Sequence, residues 1–220
     1  MARRHWNEMF LKYFLGLGAG FMLAATFLRM LPESMKLTEH APLLFLGGYF
    51  LVHFFEHTVA PHFHFGEERH DEVMMNPAVG ISALAGLTIH TFFDGVSIAS
   101  GFLVSLPLGL LIFCAVILHK IPEGVTVASI ALASGHGKRG ALAASFILAA
   151  ATLAGVLGMH QFEAAVSYAL PFSTGVTLYV AATDLMPEVN EERGMKMTLV
   201  VFLGVALYWL TERALDIVQP

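Results

Sequence analysis

The sequence predicts an all-α, polytopic membrane helix bundle: about seven transmembrane helices forming a single domain over 1–220. Three observations predict it. Charged residues make up 13% of the chain and apolar ones 56%, whereas a soluble domain carries about 25% charged residues. Seven stretches are long and apolar enough to cross a bilayer, at about 9–31, 41–60, 77–101, 106–131, 140–159, 163–187 and 196–218, a crossing taking about 20 residues. The segments between them are too short to hold a soluble domain.

Charge gives the orientation. With seven crossings, Arg3, Arg4, Arg69, Lys138, Arg139, Arg193 and Lys196 fall on the side of the N-terminus, against Lys36 and Arg213 on the other. Positive residues favour the cytoplasm, so the expected location is the cell membrane, with the N-terminus inside and the C-terminus outside. Arg3-Arg4 before an apolar run loosely resembles an export signal, but the run has no clear small-residue cleavage site and reads as a retained span. The lone Cys114 excludes an internal disulfide framework and a thiolate cluster.

Span one carries Gly16, Gly18 and Gly20, small residues of the kind that let membrane helices approach closely. Pro32 is expected to stop or kink it. Arg29 reads as snorkelling to the interface, and Met30 is a candidate to face a metal path. Span two ends in His53, Glu56, His57, His62, His64 and His70, with Glu67, Glu68, Asp71 and Glu72 alongside. This stretch is either a solvated connection or a weak, exposed metal-handling loop. Span five is mostly Ala, Leu and Gly. Span six ends Leu185-Met186-Pro187-Glu188, like Met30-Leu31-Pro32-Glu33 of span one, a weak hint of the internal repeats common in transporters. Asp184 is either a relay on a path or an interfacial carboxylate, and span seven reads as scaffold.

Spans three and four hold the chemistry. His90-Thr91-Phe92-Phe93-Asp94-Gly95 is echoed by His119-Lys120-Ile121-Pro122-Glu123-Gly124, with every matched position shifted by 29 (90 to 119, 94 to 123). In each copy a His precedes a carboxylate by four residues, so both share one helix face. Ionisable groups in mid-membrane are costly and mark functional sites by default. Each His lies about halfway along its span, so two imidazoles and two carboxylates meet at one depth. That is a four-ligand set for a borderline divalent cation, with the carboxylates offsetting the double charge. Gly95 and Gly124 are expected to permit close helix approach. Pro122 frees the Leu118 carbonyl beside His119, a distortion tolerated where it lines a cavity.

On these residues the chain resembles the ZIP (Zrt/Irt-like) family of divalent metal transporters. Members carry His-x-x-x-carboxylate-Gly in one helix and His-[Glu or Lys]-x-Pro-Glu-Gly in the next, matched here by His90, Asp94, Gly95 and His119, Lys120, Pro122, Glu123, Gly124. The likeness extends to Phe27–Glu33, the His-bearing loop after span two and Tyr179–Glu188. It implies metal import toward the cytoplasm by an elevator-like movement of a helix bundle, with Met30, His53, His57, His62, His64, Asp184 and Glu188 as candidate path or exit residues. Zn²⁺ is the expected cargo, and an N₂O₂ set also suits Fe²⁺, Mn²⁺ and Cd²⁺. The partners are then the metal and the lipid bilayer, with a homodimer compatible and no nucleic acid.

Three departures stand out. The family usually has eight helices; span one matches its second, so this sequence is expected to lack the counterpart of the first. Many members hold two metals, using polar or acidic neighbours at the positions of Thr91 and Lys120 and a carboxylate in the helix matching span five. This chain has Thr, Lys and no such carboxylate, so one metal is expected. Arg29 stands where relatives often have His. Lys120 either supplies the positive charge of the second metal or merely hydrates a polar cavity. A different class, an intramembrane zinc-dependent hydrolase of the lipid amidase type, would need an open water position and a nearby base; His53, His57 and Asp184 could be recruited to it, but two full His/carboxylate pairs saturate the cation and no Ser or Glu stands ready as that base.

Overall fold

The computed structural model describes residues 2–58, 77–192 and 194–218, and all its regular elements are helical. In order these are α1 (Ala2–Ala25), a π-turn (Thr26–Met30), α2 (Leu31–Leu37), α3 (Ala41–Thr58), α4 (Pro77–Val104), α5 (Leu106–Ala133), α6 (Gly137–Gln161), a 3₁₀ turn (Glu163–Ala165), α7 (Val166–Tyr179), a second π-turn (Val180–Leu185), α8 (Met186–Glu191) and α9 (Met195–Val218). Among the described residues six helices are long and apolar enough to cross a membrane: Met9–Leu37, Ile81–Val104, Leu106–Ala133, Gly137–Gln161, Glu163–Glu191 and Met195–Ile217. The expected second span is present as the 18-residue α3, whose polar end at His53, Glu56 and His57 dilutes its hydropathy.

Of the two outcomes expected at Pro32, a stop is not found: the helix runs on to Leu37. The turn before it widens, so that the Leu31 N–H bonds the Thr26 carbonyl five residues back. This slack absorbs the missing N–H and the ring clash of a helical proline. Pro187 is handled the same way, with the Met186 N–H on the Ala181 carbonyl. The two similar sequence endings are therefore two equivalent backbone devices. Arg29 and Asp184 occupy the same place in them, each three residues before the proline.

Three helix pairs are clamped by reciprocal glycines. A Cβ on Gly95 of α4 would strike the Thr152 carbonyl of α6, and one on Gly155 would strike the Phe92 carbonyl of α4. Gly48 and Gly175 stand in the same relation to the Phe172 and Phe45 carbonyls in α3 and α7. Gly20 and Gly204 do so with the Val201 and Leu17 carbonyls in α1 and α9. Each glycine thus sits on the carbonyl three residues before its partner, close enough for Cα–H···O contact. Gly124 meets nothing within 4 Å, so its expected packing role is not found. Gly18 faces the backbone of Leu118 and His119, at 3.5 Å and beyond, and lets α1 lie along α5.

The α4–α5 hairpin turns on Ser105, whose hydroxyl caps the Leu108 N–H at 3.3 Å. The α5–α6 turn uses Gly135 and Gly137 at φ of +80° and +64°, the left-handed region that favours glycine. The largest apolar cluster joins α1, α5, α9 and the second π-turn, around Phe21, Met22, Leu111, Val180 and Tyr208. Beside this cluster Arg29 faces Glu33 and Glu212, both at 3.8 Å, and Tyr208 donates to Glu212 at 2.9 Å. Glu212 therefore has a structural partner that span seven's apolar pattern did not reveal.

Candidate metal centre

His90 is the fourteenth residue of the 28-residue α4, and His119 the fourteenth of the 28-residue α5. Because the two helices form a hairpin about Ser105, these positions lie at matched depth. The i, i+4 spacing then puts Asp94 beside His90 and Glu123 beside His119. One ligand atom from each of His90, Asp94, His119 and Glu123 lies within 4.8 Å of all the others, and all four residues are buried.

The separations suit one small cation. His119 Nε2 lies 3.3 Å from Asp94 Oδ2, His90 Nε2 3.5 Å from Glu123 Oε1, and His119 Nε2 3.9 Å from Glu123 Oε2. Corners of a tetrahedron around zinc, with bonds of about 2.0–2.1 Å, stand about 3.3 Å apart. His119 Nδ1 lies 3.1 Å from the Ala115 carbonyl, a contact that orients the ring, and Nε2 faces Asp94 Oδ2 at 3.3 Å, on the side where a cation would be held. His90 Nε2 and Asp94 Oδ1 are buried without a hydrogen-bond partner. Unmet donor-grade groups of this kind are what a cation would satisfy.

Two neighbours contact the cluster. The Lys120 ammonium lies 2.7 Å from Asp94 Oδ2 and 2.5 Å from Glu123 Oε2, and it donates to Thr91 Oγ1 at 3.0 Å. Thr91 in turn donates to Glu123 Oε1 at 2.5 Å. Lys120 therefore reaches over its helix to bridge both carboxylates, rather than pointing away from them. Pro122 is buried and lines a cavity of about 10 Å³ with His90, His119, Glu123, Val180, Asp184 and Leu185, about the room of one water or bare ion.

The expected path residues separate into two groups. Asp184 is buried in the second π-turn, with Oδ2 unpartnered, and it shares the cavity with the cluster. Glu188, four residues on, is partly buried. Beyond them Tyr179 donates to Glu56 at 2.8 Å, and the rings of His53 and His57 lie 4.0 Å apart, with His53 6.1 Å from Tyr179. Glu56, between His53 and His57 on the same helix end, is tied to α7 by this bond. His62 and His64 lie outside the described residues. Met30 is fully buried on the opposite side, in an apolar cluster with Leu108, Ile112, Val116 and Leu170.

The model of a family described as ZIP zinc transporter matches residues 66–212. The zinc transporter ZIP13 of Homo sapiens is 30% identical over 154 residues, covering 62% of this chain and 42% of that protein. ZIP13 of Danio rerio is 32% identical over 141 residues (58% and 40%), and the ZIP13 homolog of Drosophila melanogaster 34% over 139 residues (58% and 39%). The matches thus span about two fifths of the length of these relatives.

Proposed function

The chain belongs to the ZIP zinc transporter family, and on that premise we propose that it carries a divalent cation, zinc first among candidates, across a membrane through a single site. The observation that carries this reading is the convergence of His90, Asp94, His119 and Glu123 from two helices into one buried set whose ligand atoms all lie within 4.8 Å of one another. Two imidazoles and two carboxylates hold zinc without a free corner, so the set favours cargo over a catalytic water. The hydrolase alternative loses its support, since the relatives bear the names of transporters.

Lys120 serves as the resident countercharge. Without metal its ammonium neutralises one of two buried carboxylates, and an arriving dication competes with it for Asp94 Oδ2 and Glu123 Oε2. One cation plus one ammonium then takes the place that two cations fill in two-metal relatives.

Movement follows from the helix pairing. The glycine-clamped pair α4–α6, with α5 in its hairpin, forms one body that holds all four ligands, and the clamped pairs α1–α9 and α3–α7 form the surround. The body slides as an elevator against it, with Gly18 on α1 leaving room beside Leu118. On the N-terminal side, the cytoplasmic side by charge, Asp184, Glu56, His53 and His57 lead away from the cavity toward the segment with His62 and His64. On the outer side the apolar cluster of Met30, Leu108, Ile112, Val116 and Leu170 closes the path. Proteoliposomes test the reading. Wild-type protein takes up ⁶⁵Zn²⁺, competed by Fe²⁺, Mn²⁺ or Cd²⁺ according to selectivity, and His119→Ala does not. Equal uptake by both proteins overturns it.

A further inference from the structure

Six buried side-chain polar atoms lack a hydrogen-bond partner among the described residues: Arg29 Nε, His90 Nε2, Asp94 Oδ1, Ser97 Oγ, Ser100 Oγ and Asp184 Oδ2. Three of them belong to the metal cavity and its ligands. Ser97 and Ser100 do not, and both residues are 0% exposed. A helical hydroxyl has a ready partner in the carbonyl four residues back. Thr26, Thr88, Ser145, Thr152, Thr174 and Thr177 all take that bond. These two serines do not, although burying an unmet hydroxyl in an apolar bundle is costly.

Their place on α4 gives the reason. At about 1.5 Å per residue, Ser97 and Ser100 stand about 4.5 and 9 Å beyond Asp94, toward the end of the helix at Val104. Ser97 follows His90 by seven residues and so lies within about 20° of it on the helix face, in line with a proposed ligand. Ser100 follows Phe93 by seven residues, and Phe93 packs on Phe172 of α7 with ring centres 5.3 Å apart. Ile98 and Val104 of the same stretch border the apolar cluster that closes this side of the site. Asp94 Oδ1, Ser97 Oγ and Ser100 Oγ thus form a stair of unmet oxygens, one turn apart, from the site along the closed side.

We propose that Ser97 and Ser100 are the outer steps of the cation path. Their hydroxyls have no side-chain or backbone partner among the described residues in this conformation, and they hold water and a partly hydrated divalent cation once the apolar cluster parts, passing it to Asp94. Neutral hydroxyls suit transit: they replace lost hydration water without binding tightly enough to trap the ion. The proposal rests on the transport reading above.

Cysteine accessibility tests it. In a Cys114→Ser background, Ser97→Cys, Ser100→Cys and Ala99→Cys are treated from the outer face with a membrane-impermeant charged methanethiosulfonate, with and without Zn²⁺. Ala99 lines an apolar groove with Phe102, Phe113 and Val156 on the other face of α4 and serves as the control. Cysteines at 97 and 100 should react at least about tenfold faster than the one at 99, and Zn²⁺ should slow them. Equal rates at all three positions overturn the proposal. Zinc uptake by the Cys114→Ser parent, measured in parallel, separates the cases: no uptake sinks the transport reading, whereas uptake with unreactive 97 and 100 sinks this proposal alone. A double Ser97→Ala, Ser100→Ala variant adds a second readout: slower uptake with unchanged equilibrium zinc affinity. Wild-type uptake in that variant also overturns the proposal.

Discussion

Replacing Lys120 with Met removes the ammonium while keeping most of the side-chain bulk, and the structure sets opposite signs for its two effects. In the metal-free protein Lys120 bonds Asp94 Oδ2 at 2.7 Å and Glu123 Oε2 at 2.5 Å. Both carboxylates are buried, and the lysine itself is only 24% exposed, so solvent screens little of the interaction. Taking away the partner of a buried charge costs about 3–5 kcal/mol, and the apo protein should lose roughly that much stability. Metal binding should instead tighten. The cation no longer displaces charge-assisted bonds, each contributing about 1.5–3 kcal/mol net, and losing even one such competitor strengthens binding about tenfold. Thermal unfolding in detergent and chelator-competition titration read the two effects separately. In Lys120→Met the metal-free midpoint falls, the zinc-induced rise grows, and Kd drops about tenfold or more. An unchanged midpoint and a Kd within twofold of wild type would refute the countercharge role.

Other outcomes follow from single contacts. Thr91→Val removes the hydroxyl that links Lys120 to Glu123 and should weaken zinc binding about tenfold, the usual effect of losing a group that orients a ligand; titration checks it. Glu56→Gln should slow uptake while leaving equilibrium affinity at the four-residue site within about threefold, because Glu56 stands beyond the cavity on Tyr179; comparing transport rate with Kd checks it. Gly95→Ala drives a methyl into the Thr152 carbonyl and should cost about 1–3 kcal/mol by overpacking. Gly124→Ala meets nothing within 4 Å and should stabilise α5 by about 0.5–1 kcal/mol. Thermal midpoints of the two variants, side by side, decide this pair.

The fold was legible wherever a single helix carries its own signal. Long apolar runs marked the spans, and the spacing of His and carboxylate alone put His90 with Asp94 and His119 with Glu123. What lay hidden depends on helices meeting each other. The reciprocal clamp of Gly95 and Gly155 joins residues 60 apart, and nothing near either glycine distinguishes it from Gly124, which packs against nothing. The outcome at Pro32 stayed open between a stop and a kink for a related reason. Pro32 is a helix breaker in isolation, but a widened turn held within the bundle carries the helix past it. Lys120 was ambiguous because its long stem lets the ammonium reach Asp94 from a Cα that points elsewhere. Glu56 was masked by the histidines around it, and its partner Tyr179 lies 123 residues away.

The central claim is that one cation sits among two imidazoles and two carboxylates midway through α4 and α5. X-ray absorption on protein loaded with one equivalent of zinc tests it most directly, read beside the same spectrum from the His90→Ala, His119→Ala double variant. The account predicts a first shell of nitrogen and oxygen only at about 2.0–2.2 Å, with imidazole scattering from two rings that is lost in the double variant. A sulfur in the shell, or an imidazole signal that survives removal of His90 and His119, would place the metal elsewhere and contradict it.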